Sequence, residues 1–230
     1  MPSLPRPLAP GLERLTARII ATITAAERPS PGFVLITARP MSCGRERWPK
    51  PGTHFGVRVS VRDFRHYTVF GHSDDGLQIL IDLAASGPGV RWARRAQPGD
   101  RLPILTPGGG MTLLDRVNPL LIGDATAVAT IRALGDDATN ATCALEVHTA
   151  DVNFVSAAMP GATVLAATAG PGVAMDDWLS RAVDDSILSA HLAGHAQSIQ
   201  RQRSLIREQS HLGRRRIATQ AHWSDSRTGL

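Results

Sequence analysis

From about residue 14 to residue 104 the apolar positions come in short runs, many of them β-branched, separated by proline and glycine. Such runs predict strands, here at residues 16–25, 32–38, 53–61, 66–73 and 77–83. A further strand is expected at 101–105, after the turn Pro98-Gly-Asp100. His54-Phe-Gly-Val-Arg-Val-Ser-Val61 alternates as a strand with one wet face should. This half of the chain reads as a small antiparallel barrel or sandwich.

The pattern changes around residues 116–119. Leu120-Leu-Ile-Gly123 is a short apolar strand, and residues 126–134 predict a helix closed by Gly135. Strands are expected at 142–148, 162–168 and 186–193, with helical or turn material between them, and a long arginine-rich helix at about 196–209. Strands alternating with helices argue for a parallel sheet covered by helices. The domain boundary is placed near residues 110–118, where Thr106-Pro-Gly-Gly-Gly110 supplies turn chemistry.

Composition narrows the functional classes. With 230 residues, 43% hydrophobic and 20% charged, the chain can bury a core, which excludes a disordered or rod-like protein. Aromatic residues make up only 4% and Tyr67 is the sole tyrosine, which disfavours functions built on several stacking platforms, such as single-strand nucleic-acid binding. The net charge of +5 is carried by arginine, since Lys50 is the only lysine, and such a surface attracts anionic ligands. The cluster Arg201, Arg203, Arg207 and Arg214 to Arg216 reads as a solvated face, with no nucleic-acid partner expected. Cys43 and Cys143 form neither a disulfide framework nor a CxxC pair. No signal-peptide or membrane-spanning run is present, so a soluble, cytoplasmic protein without a membrane partner is expected. The oligomeric state is left open, with a monomer expected.

Four constellations could carry chemistry. Arg65-His-Tyr-Thr68 combines a guanidinium for a pyrophosphate, a ring for a flat heterocycle and a hydroxyl for its edge, although an edge strand with an exposed arginine has the same pattern. In Asp82-Leu-Ala-Ala-Ser-Gly-Pro-Gly-Val-Arg-Trp-Ala93 a strand gives way to a helix start where small residues let an anion approach the main chain; the alternative is a plain loop. Leu120-Leu-Ile-Gly-Asp-Ala-Thr-Ala127 is a strand turning into a helix capped by Asp124 or Thr126, at the edge where parallel sheets bind ligands. His191-Leu-Ala-Gly-His195 has i, i+4 spacing, but Gly194 and the strand-like approach argue against a metal pair. No metal site and no catalytic acid or nucleophile is predicted.

The order of these segments, ending in Arg216-Ile-Ala-Thr-Gln-Ala-His-Trp223 and Gly229, resembles the siderophore-interacting proteins. These are ferredoxin-reductase-like flavoproteins that act as NAD(P)H-dependent ferric-siderophore reductases. The resemblance implies an FAD-binding β-barrel over residues 14–112 and an NAD(P)-binding α/β domain over 117–230. Arg65 would hold the FAD pyrophosphate, Tyr67 would pack on the flavin, and Thr68 would lie near its reactive nitrogen. Leu83, Ala84, Gly87, Pro88, Gly89 and Val90 would line the FAD phosphates. Asp124, Ala125, Thr126 and Ala127, with Gly194, His195 and Ala196, would face the nicotinamide nucleotide. The substrate would be a ferric siderophore or another ferric chelate.

The chain departs from the family pattern at several points. Ala84-Ala-Ser replaces His-Gly, Gly89-Val replaces Ala-Ser, Ala125 stands for an acidic residue, His195 for a glutamate, His222 for a tyrosine and Phe70 for an arginine. These changes leave two rivals beside the siderophore reductase: a generic flavin reductase or electron-transfer protein, and a non-catalytic paralogue with weakened flavin binding. NADH versus NADPH is left open by His148 and Asp151.

Overall fold

The computed structural model describes residues 17–41, 44–61, 63–85 and 87–225; Cys43, Arg227, Gly229 and the proline-rich residues 1–10 lie outside them. Two compact units are present. One runs to Arg28 and resumes over Val34–Gly109, and the other takes Pro29–Phe33 and the chain from Gly110 onward.

In the first unit β1 (Ala17–Ser30), β2 (Phe33–Pro40), β3 (His54–Arg58), β4 (Phe64–Ser73), β5 (Gly76–Asp82) and β6 (Arg101–Gly108) close into a barrel in the order β1-β2-β5-β4-β3-β6. The alternation read from residues 54–61 works as expected: Phe55, Val57 and Val59 enter the core beside Ile36, Ile79 and Ile104. β3 stops at Arg58, earlier than the pattern suggested, because Ser60 and Asp63 bond to each other in a tight turn. Helix α1 (Pro88–Ala93) starts with extended Gly87 and with Pro88 in the first turn, where a missing N–H costs nothing. It buries Val90 and Ala93 against the barrel core.

The second unit is a parallel sheet of β7 (Pro119–Asp124), β8 (Thr142–Val147), β9 (Thr163–Ala166), β10 (Ser189–His195) and β11 (Ile217–Trp223), in the order β11-β10-β7-β8-β9. Its helices are α2 (Val128–Asp136), α3 (Val152–Ala158), α4 (Val173–Ala182) and α5 (Ala196–Gln209). β7 and β10 are buried nearly throughout, as central parallel strands are. The strand order reverses between β7 and β10, and this is the switch point at whose carboxyl edge ligands bind in open α/β sheets.

Several elements differ from the sequence reading. β11 was not expected as a strand; it pairs with β10 alone, and its alternating burial spreads only a few apolar residues along an edge. Gly135 does not close α2 but lies within it, packed near the Cys143 sulfur, and Asp137 is the C-cap. β10 begins at Ser189 rather than 186, after a turn in which Asp184 accepts from Ser186. Among the described residues no helix is long and apolar enough to cross a membrane.

Within β10, fully buried His191 accepts the Leu114 N–H through Nε2 at 2.9 Å, so its proton sits on Nδ1. Burial lowers its pKa to about 4, against a smaller opposing effect from a backbone hydrogen bond with Thr112.

Candidate functional site

In the barrel unit, Arg65 and Tyr67 occupy the face of β4 that continues into the core at Val69. Tyr67 packs on the core and on Trp92 of α1, with ring centroids 5.9 Å apart. Gly89 lies directly against the phenol: a Cβ there would stand 2.6 Å from the Tyr67 hydroxyl and 3.2 Å from Arg65 Cγ. Arg65, Tyr67 and the start of α1 are therefore one cluster, built from two of the segments singled out by sequence. Burial pushes the Tyr67 phenol far above its usual range, against the opposing pull of the Arg65 charge. Tyr67 is thus a neutral hydroxyl. Arg65 is half-buried, and its Nη1 donates to the Phe64 carbonyl at 2.6 Å, which fixes the guanidinium on its own strand.

The turn after β5 is also held from within. Asp82 accepts the Ala84 N–H, and Arg94 donates to the Leu83 carbonyl. The Leu83 and Val90 side chains belong to the core, so these two residues offer a site only their main chain. Thr68 is buried on the opposite face of β4 from Tyr67. Gly87 caps α1 without a side chain, and a Cβ on it would meet nothing within 4 Å. A guanidinium beside an uncapped, glycine-lined turn and a neutral phenol is a donor set that fits the pyrophosphate and ring of a flavin dinucleotide.

In the α/β unit, Asp124 at the end of β7 organises the carboxyl edge. Its Oδ1 accepts from the Thr126 N–H and hydroxyl, and its Oδ2 accepts from the His195 N–H and the Trp223 indole, each at 2.8 Å. Asp124, not Thr126, is thus the cap. Gly194, at φ +127°, brings the main chain against this carboxylate, where a Cβ would overlap it. The two segments Asp124–Ala127 and Gly194–Ala196 meet across the switch point, although Ala127 and His195 are buried and Asp124 faces inward. His195 stacks on Trp223 at 4.2 Å, bonds Ser198 through Nδ1, and brings Nε2 to 3.2 Å from Asp225, off the line of a hydrogen bond.

The helices at this edge differ in how they begin. α2 follows the 3-10 turn Ala125–Ala127, whose Thr126 amide is capped by Asp124, while α5 follows His195 and starts without a side-chain cap; neither has an acidic residue in its own first turn. The first amides of α5 fit a pyrophosphate. The start of α4 is filled instead: Glu146 at the end of β8 accepts from the Gly172 and Met175 N–H groups, each at 2.8 Å. Burial raises the Glu146 pKa, and these two bonds oppose the rise. The sequence reading passed over Glu146, Trp92 as a partner of Tyr67, and Ser198. A lone carboxylate inside the apolar run Ala144-Leu-Glu-Val147 was the available signal for the first.

Comparison with known proteins places these units. Residues 40–111 match the family model of the siderophore-interacting FAD-binding domain. The chain superposes on the siderophore-interacting protein from Acinetobacter baumannii with a TM-score of 0.74 at 18% identity, covering 91% of this chain and 92% of that one. A siderophore utilization protein from T. fusca gives 0.72 at 22% identity, over 92% and 94% of the two chains. The mycobactin import ATP-binding/permease protein IrtA of Mycolicibacterium smegmatis is 33% identical over 103 residues, 42% of this chain but only 11% of that protein. Residues 40–111 of the barrel unit thus resemble the siderophore-interacting FAD-binding domain, and the whole chain shares the fold of these solved structures.

Proposed function

We propose that this chain is an NAD(P)H-dependent flavoprotein reductase of ferric siderophores. The observation that carries the reading is the cluster of Arg65, Tyr67 and Gly89 inside the segment matched to an FAD-binding domain. Residues 14–112 are assigned to FAD and residues 117–230 to NAD(P)H, in a cytoplasmic monomer. Bound FAD would supply the one property that side chains lack, accepting electrons as a pair and releasing them singly, so that hard-donor-bound Fe(III) leaves its chelate as Fe(II).

The chain's own residues bind and orient. Arg65 would pair with a phosphate while Gly87, Pro88 and Gly89 keep the turn open to it, with Leu83, Ala84 and Val90 contributing main chain. Tyr67, held by Trp92, would present a fixed neutral ring to the flavin, while Thr68, buried on the other face of β4, would reach the flavin edge only through its main chain. In the α/β unit Asp124 acts as a positioning residue. It fixes Thr126, the His195 amide and Trp223, and so shapes the main chain of Ala125, Ala127, Gly194 and Ala196 toward a nicotinamide nucleotide. Exposed Arg91, Arg94 and Arg95 would draw in an anionic chelate.

Steady-state NAD(P)H oxidation tests the reading, with ferric siderophores compared against simple ferric chelates, ferredoxin and cytochrome as acceptors. Preference for a ferric siderophore is expected. A generic electron-transfer role is the second reading, favoured by the superposition on a cytochrome P450 reductase from Amycolatopsis at a TM-score of 0.68. Faster turnover with a protein acceptor than with any ferric siderophore would select it.

A further inference from the structure

In sheets of this order the adenosine ribose of a dinucleotide lies beyond the end of the second strand of the nucleotide-binding unit. Here that strand is β8, which ends in Glu146 and Val147, followed by His148 and the turn Thr149–Asp151. NADPH differs from NADH by one phosphate on that ribose. The chain has 25 lysines and arginines, yet residues 133–180, which supply β8, α3, β9 and all but the last two residues of α4, contain none; Arg181 lies in the last turn of α4. They do contain Asp136, Asp137, Glu146, Asp151, Asp176 and Asp177.

Among the described residues, the turns that follow β8 and β9 supply no cation. The amides at the start of α4, which could take a phosphate, are capped by Glu146, and α3 begins directly after Asp151. His148 turns its Nδ1 back to the Ala150 N–H of its own turn as an acceptor. Arg201 approaches from α5, but its Nε is bonded to Asp176 at 3.0 Å and its Nη2 to the Pro171 carbonyl at 2.8 Å.

We infer that the α/β unit selects NADH over NADPH, because β8, the turn His148–Asp151 that follows it and α3 carry acidic residues and no lysine or arginine to receive a 2′-phosphate. This rests on reading the unit as a dinucleotide domain. The specificity-determining positions are the exposed Thr149 and Ala150, where a discriminating arginine is lacking.

Calorimetric titration of the full-length protein with ADP-ribose and with 2′-phospho-ADP-ribose reads the preference without any turnover. ADP-ribose is expected to bind at least tenfold more tightly. In Ala150→Arg, 2′-phospho-ADP-ribose should gain at least fivefold, in a salt-sensitive way, with ADP-ribose unchanged. Equal or tighter binding of the phosphorylated ligand by the unaltered protein overturns the NADH preference and leaves the reductase intact. Failure of both ligands to bind overturns the dinucleotide reading itself, and the preference with it.

Discussion

Replacing Gly89 by alanine separates the packing of the flavin cluster from ordinary helix energetics. Gly89 lies in α1, so alanine alone would stabilise the backbone by about 0.5–1 kcal/mol. The new Cβ, however, would stand 2.6 Å from the Tyr67 hydroxyl, well inside a relaxed contact of roughly 3.5 Å. Tyr67 cannot swing freely, because its ring is packed on Trp92 and the barrel core. Overpacking of this kind costs about 1–3 kcal/mol, leaving a net loss of about 1–2 kcal/mol. Removing the hydroxyl removes the harder conflict: with Tyr67→Phe the nearest ring atom is Cζ at 3.7 Å, and the remaining 3.2 Å approach is to Arg65 Cγ, on a flexible side chain that can give by a few tenths of an ångström. The two substitutions should therefore couple by about 1–2 kcal/mol, with Gly89→Ala neutral or mildly stabilising in the Tyr67→Phe background. Urea unfolding of the four proteins measures this coupling, and FAD titration in parallel should show at least a tenfold loss of affinity in Gly89→Ala alone. A cost that is absent in the unaltered protein, or equal in both backgrounds, would refute the proximity of helix start and phenol.

Two further substitutions probe the α/β unit. Asp124→Asn would turn an NH2 group toward two of the four donors now satisfied, costing about 2–4 kcal/mol in urea unfolding and changing the indole environment of Trp223, read by fluorescence. His191 is held at about 4 against 6.5 when unfolded, so the unfolded chain takes up the proton first. Its contribution is complete above about pH 6.5 and is lost as the pH falls through 6.5 toward 4, by about 3 kcal/mol in all. His191→Gln keeps an acceptor for Leu114 and should flatten that acid slope; an unchanged slope would show that other groups set it.

The strands of the barrel were legible because a closed sheet with one buried face writes its register as alternation, as Phe55, Val57 and Val59 do. The arginine-rich helix over residues 196–209 coincides with α5, whose buried residues Ile199 and Ile206 fix its inner face. The edge strand β11 was obscure for the opposite reason: with one neighbour and mostly half-exposed side chains it needs no apolar run. At the sites, the segments were legible but their geometry was not. That Gly89 touches Tyr67, or that the Asp124 carboxylate joins His195 and Trp223, depends on contacts between residues 22 or more positions apart. Glu146 shows the same limit, since a lone acid in a strand does not reveal that it caps a helix starting beyond the next strand.

The claim on which the account rests is that the barrel unit holds FAD and passes electrons from a nicotinamide to iron. An anaerobic absorption titration of the FAD-loaded protein tests it most directly. The flavin band at about 450 nm should bleach on adding NADH and return on adding a ferric siderophore, with Fe(II) trapped by a ferrous chelator. Protein that remains colourless in excess FAD, or a bleached flavin that the ferric siderophore fails to reoxidise, would contradict the account.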